Sequence, residues 1–228
     1  MIKIGIYLAE KGLVPDFILN FFIQRISLAR VSSASIENEK IMVINNLKSG
    51  PIAERTSDAN DQHYEVPPAF FELVLGKHMK YSCSQFDSKT DDLDKAEESM
   101  LQLYIDRAGI QANQTILDLG CGWGSFSLFA AAKFPSSKFT AVSNSKDQIN
   151  FINNQALLRG LKNLTAVQQN INEMNFSETF DKVVSIEMFE HMRNYESLLS
   201  KVSDFLNPDG ELFVPVSYTH LRAHETVR

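Results

Sequence analysis

Two short stretches of this 228-residue chain carry residue types suited to chemistry. The first is ILDLGCGWGS (116–125): glycines stand at 120, 122 and 124 directly after an apolar run, and the acid Asp118 precedes them. Residues without side chains either bend the backbone sharply or let a ligand lie against it. The second is IEMFEH (186–191), which spaces Glu187, Glu190 and His191 at i, i+3 and i+4. On a helix that spacing gathers all three on one face. The set would then be a histidine that titrates near neutral pH and carboxylates that orient it, a combination fit for moving a proton. The plainer alternatives are a strand-to-helix corner for the first stretch and a surface Glu–His pair for the second.

The elements that must position these stretches follow from the period of the apolar residues. Strands are expected at 115–119, 138–143, 164–168, 182–186 and 211–214. Helices are expected between them at 125–134, 146–159 and 195–206, closed by Pro135, Gly160 and the Asn207-Pro208-Asp209-Gly210 turn. A helical stripe of Leu93, Ala96, Met100, Leu101, Tyr104 and Ala108 precedes the first strand, with Asp91 and Asp92 at its start. Strands alternating with helices imply an α/β fold with an open, doubly wound, mostly parallel sheet, helices on both faces and a ligand beyond the carboxyl ends of the strands. Residues 1–60 read as helices and loops, broken at Gly12 and Pro15, and the polar stretch 48–62 reads as a linker.

The glycine loop is the first strand-to-helix turn of that sheet, where nucleotides bind. A nicotinamide cofactor would require GxGxxG and an acid at the end of the next strand. Here the spacing is GxGxG, and the second strand ends Ser143-Asn144-Ser145-Lys146 with no carboxylate. Asp-x-Gly-x-Gly-x-Gly instead resembles the first motif of S-adenosylmethionine-dependent methyltransferases. In such a site glycines admit the methionyl part of the cofactor and Asp118 helps to hold its amino group. Asn144 and Gln148 offer hydrogen bonds to ribose hydroxyls in place of an acid.

Three separated segments extend this likeness: HYEVPPAFFELVLGKHMKYSCSQF (63–86), LDLGCGWGS (117–125) and SIEMFEHMRNYESLLSKVSDFLNPDGELFV (185–214). Together they resemble the cyclopropane-fatty-acyl-phospholipid synthase superfamily, and within it the coclaurine N-methyltransferase-like branch, over residues 5–214. The resemblance implies a Rossmann-like class I methyltransferase fold with a helical N-terminal cap and S-adenosyl-L-methionine as cofactor. It implies that Tyr81 and Ser82 touch the methionyl end, Gly120, Gly122 and Gly124 the amino-acid moiety, Asn144 and Gln148 the ribose, and Asn170 and Ile171 the adenine. Asn170 stands where many relatives carry an acid. His63 and Tyr64 are placed to close over the cofactor, with a packed His–Tyr pair as the alternative. Cys83 is expected to line the pocket near the reactive centre. Glu187, Glu190 and His191, with Cys83, are the expected catalytic set; in the synthases, the residue matching Glu190 helps to hold a bicarbonate base. Phe70, Phe71, Leu73 and Val74 are expected in the core, and Trp123 is expected to pack the loop against its helix.

The acceptor implied is a small amine or an unsaturated acyl chain of a phospholipid. Two other classes are weighed against it: a nicotinamide-dependent oxidoreductase, and a protein that binds the cofactor without catalysis. Composition narrows the field further. With 44% hydrophobic and 22% charged residues the chain has an ordinary globular balance, and a net charge of −6 argues against a nucleic-acid partner. FILNFFI (17–23) is too short to span a bilayer, so no transmembrane segment is expected, although amphipathic residues 13–30 leave peripheral membrane contact open. With no signal-peptide pattern, and with only Cys83 and Cys121, the chain reads as a reduced, cytoplasmic protein; the five histidines form no metal-ligand spacing.

The expected domains are a cap over 1–92, a methyltransferase domain over 93–214 and a non-native tail over 215–228. PVSYTHLRAHETVR (215–228) departs from the family pattern and reads as translated sequencing-adapter sequence. On that reading the last strands of the sheet are missing and His220 and His224 have no role. The fifth strand would then be an open edge, and the chain is expected to be poorly soluble or inactive, although its full-length parent is an enzyme.

Overall fold

The structure, a computed structural model, describes residues 2–33, 37–54 and 68–215. His63, Tyr64 and the expected tail beyond residue 215 lie outside the described residues. Two compact units are distinguished, Met1–Ser49 and Gly50–Arg228.

The first unit holds three helices, α1 (Ile2–Glu10), α2 (Asp16–Ser33) and α3 (Glu37–Ser49). The break between α1 and α2 falls at Gly12 and Pro15, as their chemistry requires: Gly12 has φ +67°, and the Pro15 carbonyl accepts the first amides of α2 from Ile18 and Leu19. Phe17, Phe21, Phe22, Ile26 and Leu28 are all exposed on α2, so its apolar residues do not form one buried stripe. No helix among the described residues is long and apolar enough to cross a membrane.

The second unit is built on five parallel strands: β1 (Thr115–Leu119), β2 (Lys138–Ser143), β3 (Leu164–Gln168), β4 (Phe180–Val184) and β5 (Leu206–Phe213). Their order is β3-β2-β1-β4-β5, so the chain reverses direction across the sheet at β1. In such sheets a crevice opens at that reversal, outside the strand ends. The helices are α4 (Pro68–Val74), α5 (Leu93–Ala108), α6 (Ser125–Lys133), α7 (Lys146–Leu158) and α8 (Tyr195–Phe205).

Alternation along β1 divides the core into two layers. Ile116 belongs to one layer with Leu101 and Tyr104 of α5, Phe126 of α6 and Ile152 of α7. Leu117 and Leu119 belong to the other with Leu198, Val202 and Phe205 of α8. Burial on both faces is what a parallel sheet with helical crossovers demands. The helix ends follow their capping chemistry. Asp92 accepts the Lys95 amide at 2.8 Å and Gly109, at φ +60°, closes α5; Asn194 accepts the Ser197 amide at 3.0 Å and opens α8.

Several expectations shift. Residues 50–54 are not free linker: Ile52 and Ala53 are buried, and Asn172 bonds both the amide (3.1 Å) and the carbonyl (2.9 Å) of Ala53. Of the four apolar residues expected in the core of α4 only Phe71 is buried; Phe70, Leu73 and Val74 face outward, because a seven-residue helix packs one side. The fourth strand begins and ends two residues earlier than expected. The fifth starts at Leu206 and absorbs the Asn207–Gly210 turn as a bulge, its pairing passing from Phe180–Leu206 to Lys182–Glu211.

One carboxylate ties the amino ends of three strands together. Asp181 accepts from the Thr115 amide (2.7 Å) and hydroxyl (2.9 Å) and from Asn207 Nδ2 (2.7 Å). These bonds, the Thr115 amide foremost, hold its pKa below the usual 3.8. A depressed carboxylate stabilises the fold above its unfolded pKa and loses that contribution as pH falls through the lower folded value. Asp181→Ala is therefore expected to cost about 1–2 kcal/mol at neutral pH, with the gap to the parent closing below about pH 3.8, read by urea denaturation at several pH values.

Candidate functional site

The carboxyl ends of β1 and β4 and the turn at residues 79–82 enclose a cleft. Its floor is the turn from β1 into α6, where Gly120, Gly122 and Gly124 all have positive φ (+81°, +52° and +77°). The three glycines serve different ends. A Cβ on Gly120 would strike Met188, and one on Gly124 would strike Ile152 of α7, so these two permit close packing. A Cβ on Gly122 would meet nothing within 4 Å, so this backbone is bare toward the cleft. Gly124 opens α6 with no side-chain cap, and Ser125, the first residue of that helix, lines the cleft. An uncapped helix start favours a negative ligand group there.

Asp118, at the end of β1, is nearly fully buried yet lines the cleft, accepting from Ser127 Oγ at 2.5 Å. Burial raises its pKa to about 7, opposed by the Ser127 bonds. Gln148 lines the opposite side, its carbonyl oxygen accepting from Ser143 Oγ at 2.6 Å. Trp123 is buried between Phe71 of α4 (centroids 5.0 Å apart) and Phe151 of α7 (5.4 Å), so it packs the loop against these two helices rather than against the helix that follows it.

The Tyr81–Ser82 wall is held from below by a residue the sequence reading passed over. Glu97 of α5 has no exposed surface, and its carboxylate accepts three backbone amides: Gly76 (3.0 Å), His78 (2.9 Å) and Lys80 (3.2 Å). Asp94, one turn earlier, accepts the Lys77 amide at 2.7 Å. The available signal was an acid set among the stripe positions Leu93, Ala96, Met100 and Leu101. Lys201 of α8 does the same for the 171–174 turn, its ammonium donating to the carbonyls of Ile171, Asn172 and Met174 at 2.9–3.1 Å.

IEMFEH does not form the expected helical face. β4 ends at Val184, Glu187 takes a left-handed backbone (φ +52°), and only Phe189–His191 make a short 3₁₀ turn. The Tyr195 hydroxyl donates to the Phe189 carbonyl at 2.7 Å and fixes that turn. Glu187 and His191 both line the cleft, but Glu190 is exposed outside it, since the left-handed backbone at Glu187 takes that residue out of the short turn that carries Glu190 and His191. Of the residues singled out in the sequence, the cleft brings together Tyr81, Ser82, Asp118, Gly120, Gly122, Gln148, Glu187 and His191.

The others stand apart. Cys83 is exposed and behind the lining, with its Sγ 3.8 Å from the Tyr104 hydroxyl and 3.5 Å from Glu187 Oε1. Gly124 faces Ile152 rather than the cleft. Asn144 and Asn170 lie at the ends of β2 and β3, outside the lining, and Ile171 is buried in the α8 layer of the core.

The profile of the mycolic acid cyclopropane synthetase family matches residues 53–227. The chain is 38% identical over 212 residues to (S)-coclaurine N-methyltransferase of Thalictrum flavum subsp. glaucum, covering 90% of this chain and 58% of that one. It superposes on a crystal structure of coclaurine N-methyltransferase bound to N-methylheliamine and SAH with a TM-score of 0.77 at 36% identity, over 93% of this chain and 63% of that one. A mycolic acid cyclopropane synthase complexed with SAH and CTAB gives a TM-score of 0.62 at 27% identity, over 72% and 57%. The chain thus spans less than two thirds of the length of these relatives. The fold is that of the S-adenosylmethionine methyltransferases, and the sheet order agrees with it.

Two measurements check the electrostatics. Glu97→Gln puts an amide donor against backbone donors and is expected to cost about 1–3 kcal/mol in urea denaturation while loosening the 76–80 turn in hydrogen exchange. Asp118 has a folded pKa above its unfolded 3.8, so its contribution to stability is complete below about pH 4 and is lost as pH rises to about 7. Asp118→Asn is expected to gain on the parent by up to about 1.4 kcal/mol per pH unit across that window, and by nothing further above it.

Proposed function

The chain belongs to the mycolic acid cyclopropane synthetase family, and from that premise we propose that it is an S-adenosylmethionine-dependent methyltransferase acting on a small amine. The observation that carries this reading is one cleft shared by the bare Gly122 backbone, the buried carboxyl of Asp118 and the carboxylate of Glu187. The family profile and the N-methyltransferase relatives support the reaction class.

The residues fit the cofactor's amino-acid end. Gly122 leaves open space, and Asp118 has no basic partner among the described residues. An amino group arriving beside Asp118 would favour its ionised form and draw its proton off. Gln148 would serve the ribose side. When bound, the cofactor supplies a methyl group on a sulfonium, already activated toward a nucleophile.

The protein's own task is then to present an acceptor nitrogen with its lone pair free. His191, exposed at the cleft mouth, is placed to take the proton from an incoming ammonium at a ring nitrogen. Glu187, half-buried, supplies the negative charge that favours a cation growing on the acceptor. Holding the two partners in one cleft does the rest, since orientation replaces a bimolecular encounter. Cys83 contacts Glu187 and acts as a neighbour that orients that carboxylate rather than as a nucleophile.

Incubation with methyl-labelled S-adenosylmethionine, a panel of secondary amines and unsaturated phospholipid vesicles tests the reading. Label is expected in an amine; label in acyl chains would transfer the assignment to lipid alkenes, and label in neither would remove it. Glu187→Gln and His191→Ala are each expected to lower turnover by about 10²–10⁴-fold while calorimetric affinity for S-adenosylhomocysteine stays near that of the parent. Glu190→Gln is expected to leave turnover unchanged.

A further inference from the structure

The residues lining the cleft include Asp118 and Glu187 but no lysine or arginine. A ligand with a carboxylate would enter a pocket of its own sign. The compensating charge stands one layer back. Lys80, directly before Tyr81, has 2% of its surface exposed and makes no ion pair with a carboxylate among the described residues. Burial lowers its pKa, and the fields of Cys83, Glu187 and Glu97 oppose that loss of charge. Its ammonium lies 4.9 Å from the centroid of the Tyr104 ring, which supports a buried cation.

That ammonium makes one directed contact toward the cleft: Nζ donates to Ser82 Oγ, and Ser82 lines the cavity where Lys80 does not. The hydroxyl of Tyr104, whose ring carries the ammonium, sits 3.8 Å from Cys83 Sγ, and Cys83 in turn contacts Glu187. Behind the wall, then, a buried cation donates to the serine that lines one side of the cleft. A hydroxyl that accepts from an ammonium is a stronger donor through its own proton. Burying an ammonium without a paired carboxylate is costly, and the cost is met here beside a cleft whose lining carries no lysine or arginine.

We propose that Lys80 is a positioning residue that selects ligands presenting a carboxylate at the Ser82 end of the cleft, acting through Ser82 rather than by contact. The inference rests on the cofactor reading given above, and it assigns to that site a charge which neither motif contains. Glu97 contributes by fixing the Lys80 amide, so the ammonium is delivered under Ser82 by the same carboxylate that shapes the turn.

Calorimetry with two ligands separates selection from packing: S-adenosylhomocysteine and its decarboxylated analogue, which keeps the nucleoside, the thioether and the amine. The parent chain is expected to prefer the carboxylate-bearing ligand by about tenfold or more. Lys80→Met is expected to remove most of that preference while changing affinity for the decarboxylated analogue little, with folding monitored by circular dichroism. Ser82→Ala, which keeps the ammonium but removes its route to the cleft, is expected to reduce the preference as well, and it carries the test if Lys80→Met does not fold. Equal weakening of both ligands in Lys80→Met, or an undiminished preference in Ser82→Ala, would overturn the assignment. A parent that binds both ligands equally also overturns it while leaving the cofactor reading intact; a parent that binds neither removes both.

Discussion

The architecture of the cleft depends on a buried carboxylate that collects backbone amides. Glu97 lies on the helix before the first strand, inside the core, and takes the amides of Gly76, His78 and Lys80. A loop cannot be buried unless its polar backbone is satisfied, and here one side chain satisfies three donors at once. The bonding has a directional result: the chain emerges from residue 80 with Tyr81 and Ser82 turned to the cleft and the Lys80 ammonium turned under them. Because α5 also packs Leu101 and Tyr104 against the sheet, the turn is registered to the same body that carries the glycine loop. Two walls that are remote in sequence are thereby held by one helix.

The opposite wall is built on different physics. β1 lies between β2 and β4, and Gly120 and Cys121 both donate to the Val142 carbonyl, which binds the start of the turn to the neighbouring strand. Gly120 and Gly124 keep the turn tight against Met188 and Ile152, and Gly122 leaves backbone open to the cleft. Asp118 sits at the hinge of this arrangement, desolvated enough that its charge depends on what lies beside it.

Much of this could be read from the amino acids. Four of the five strands were expected within two residues at either end, because a buried parallel sheet leaves continuous apolar runs between helical periods. The turn chemistry at Gly12, Pro15 and Asp92 marked helix ends correctly. The misplacements share a cause: spacing alone does not reveal a backbone that leaves the regular geometries. Glu187, Glu190 and His191 have helical spacing, but the left-handed residue at 187 breaks the period and sends Glu190 to solvent. The turn at 207–210 was expected to precede the last strand and is swallowed by it as a bulge. Glu97, Lys80 and Lys201 went unread because their meaning lies in partners that no local pattern names: loop amides, a serine hydroxyl and the carbonyls of another turn.

Glu187 also shows where comfort and use diverge. A residue with a Cβ held at φ +52° carries a conformational penalty of about 1–2 kcal/mol that glycine would not. Random substitution selected for thermal tolerance alone would therefore drift toward glycine or asparagine at this position. The result of hardening the scaffold there is the loss of the carboxylate that faces both the cleft and Cys83, so attempts to toughen this protein should leave that corner uneasy.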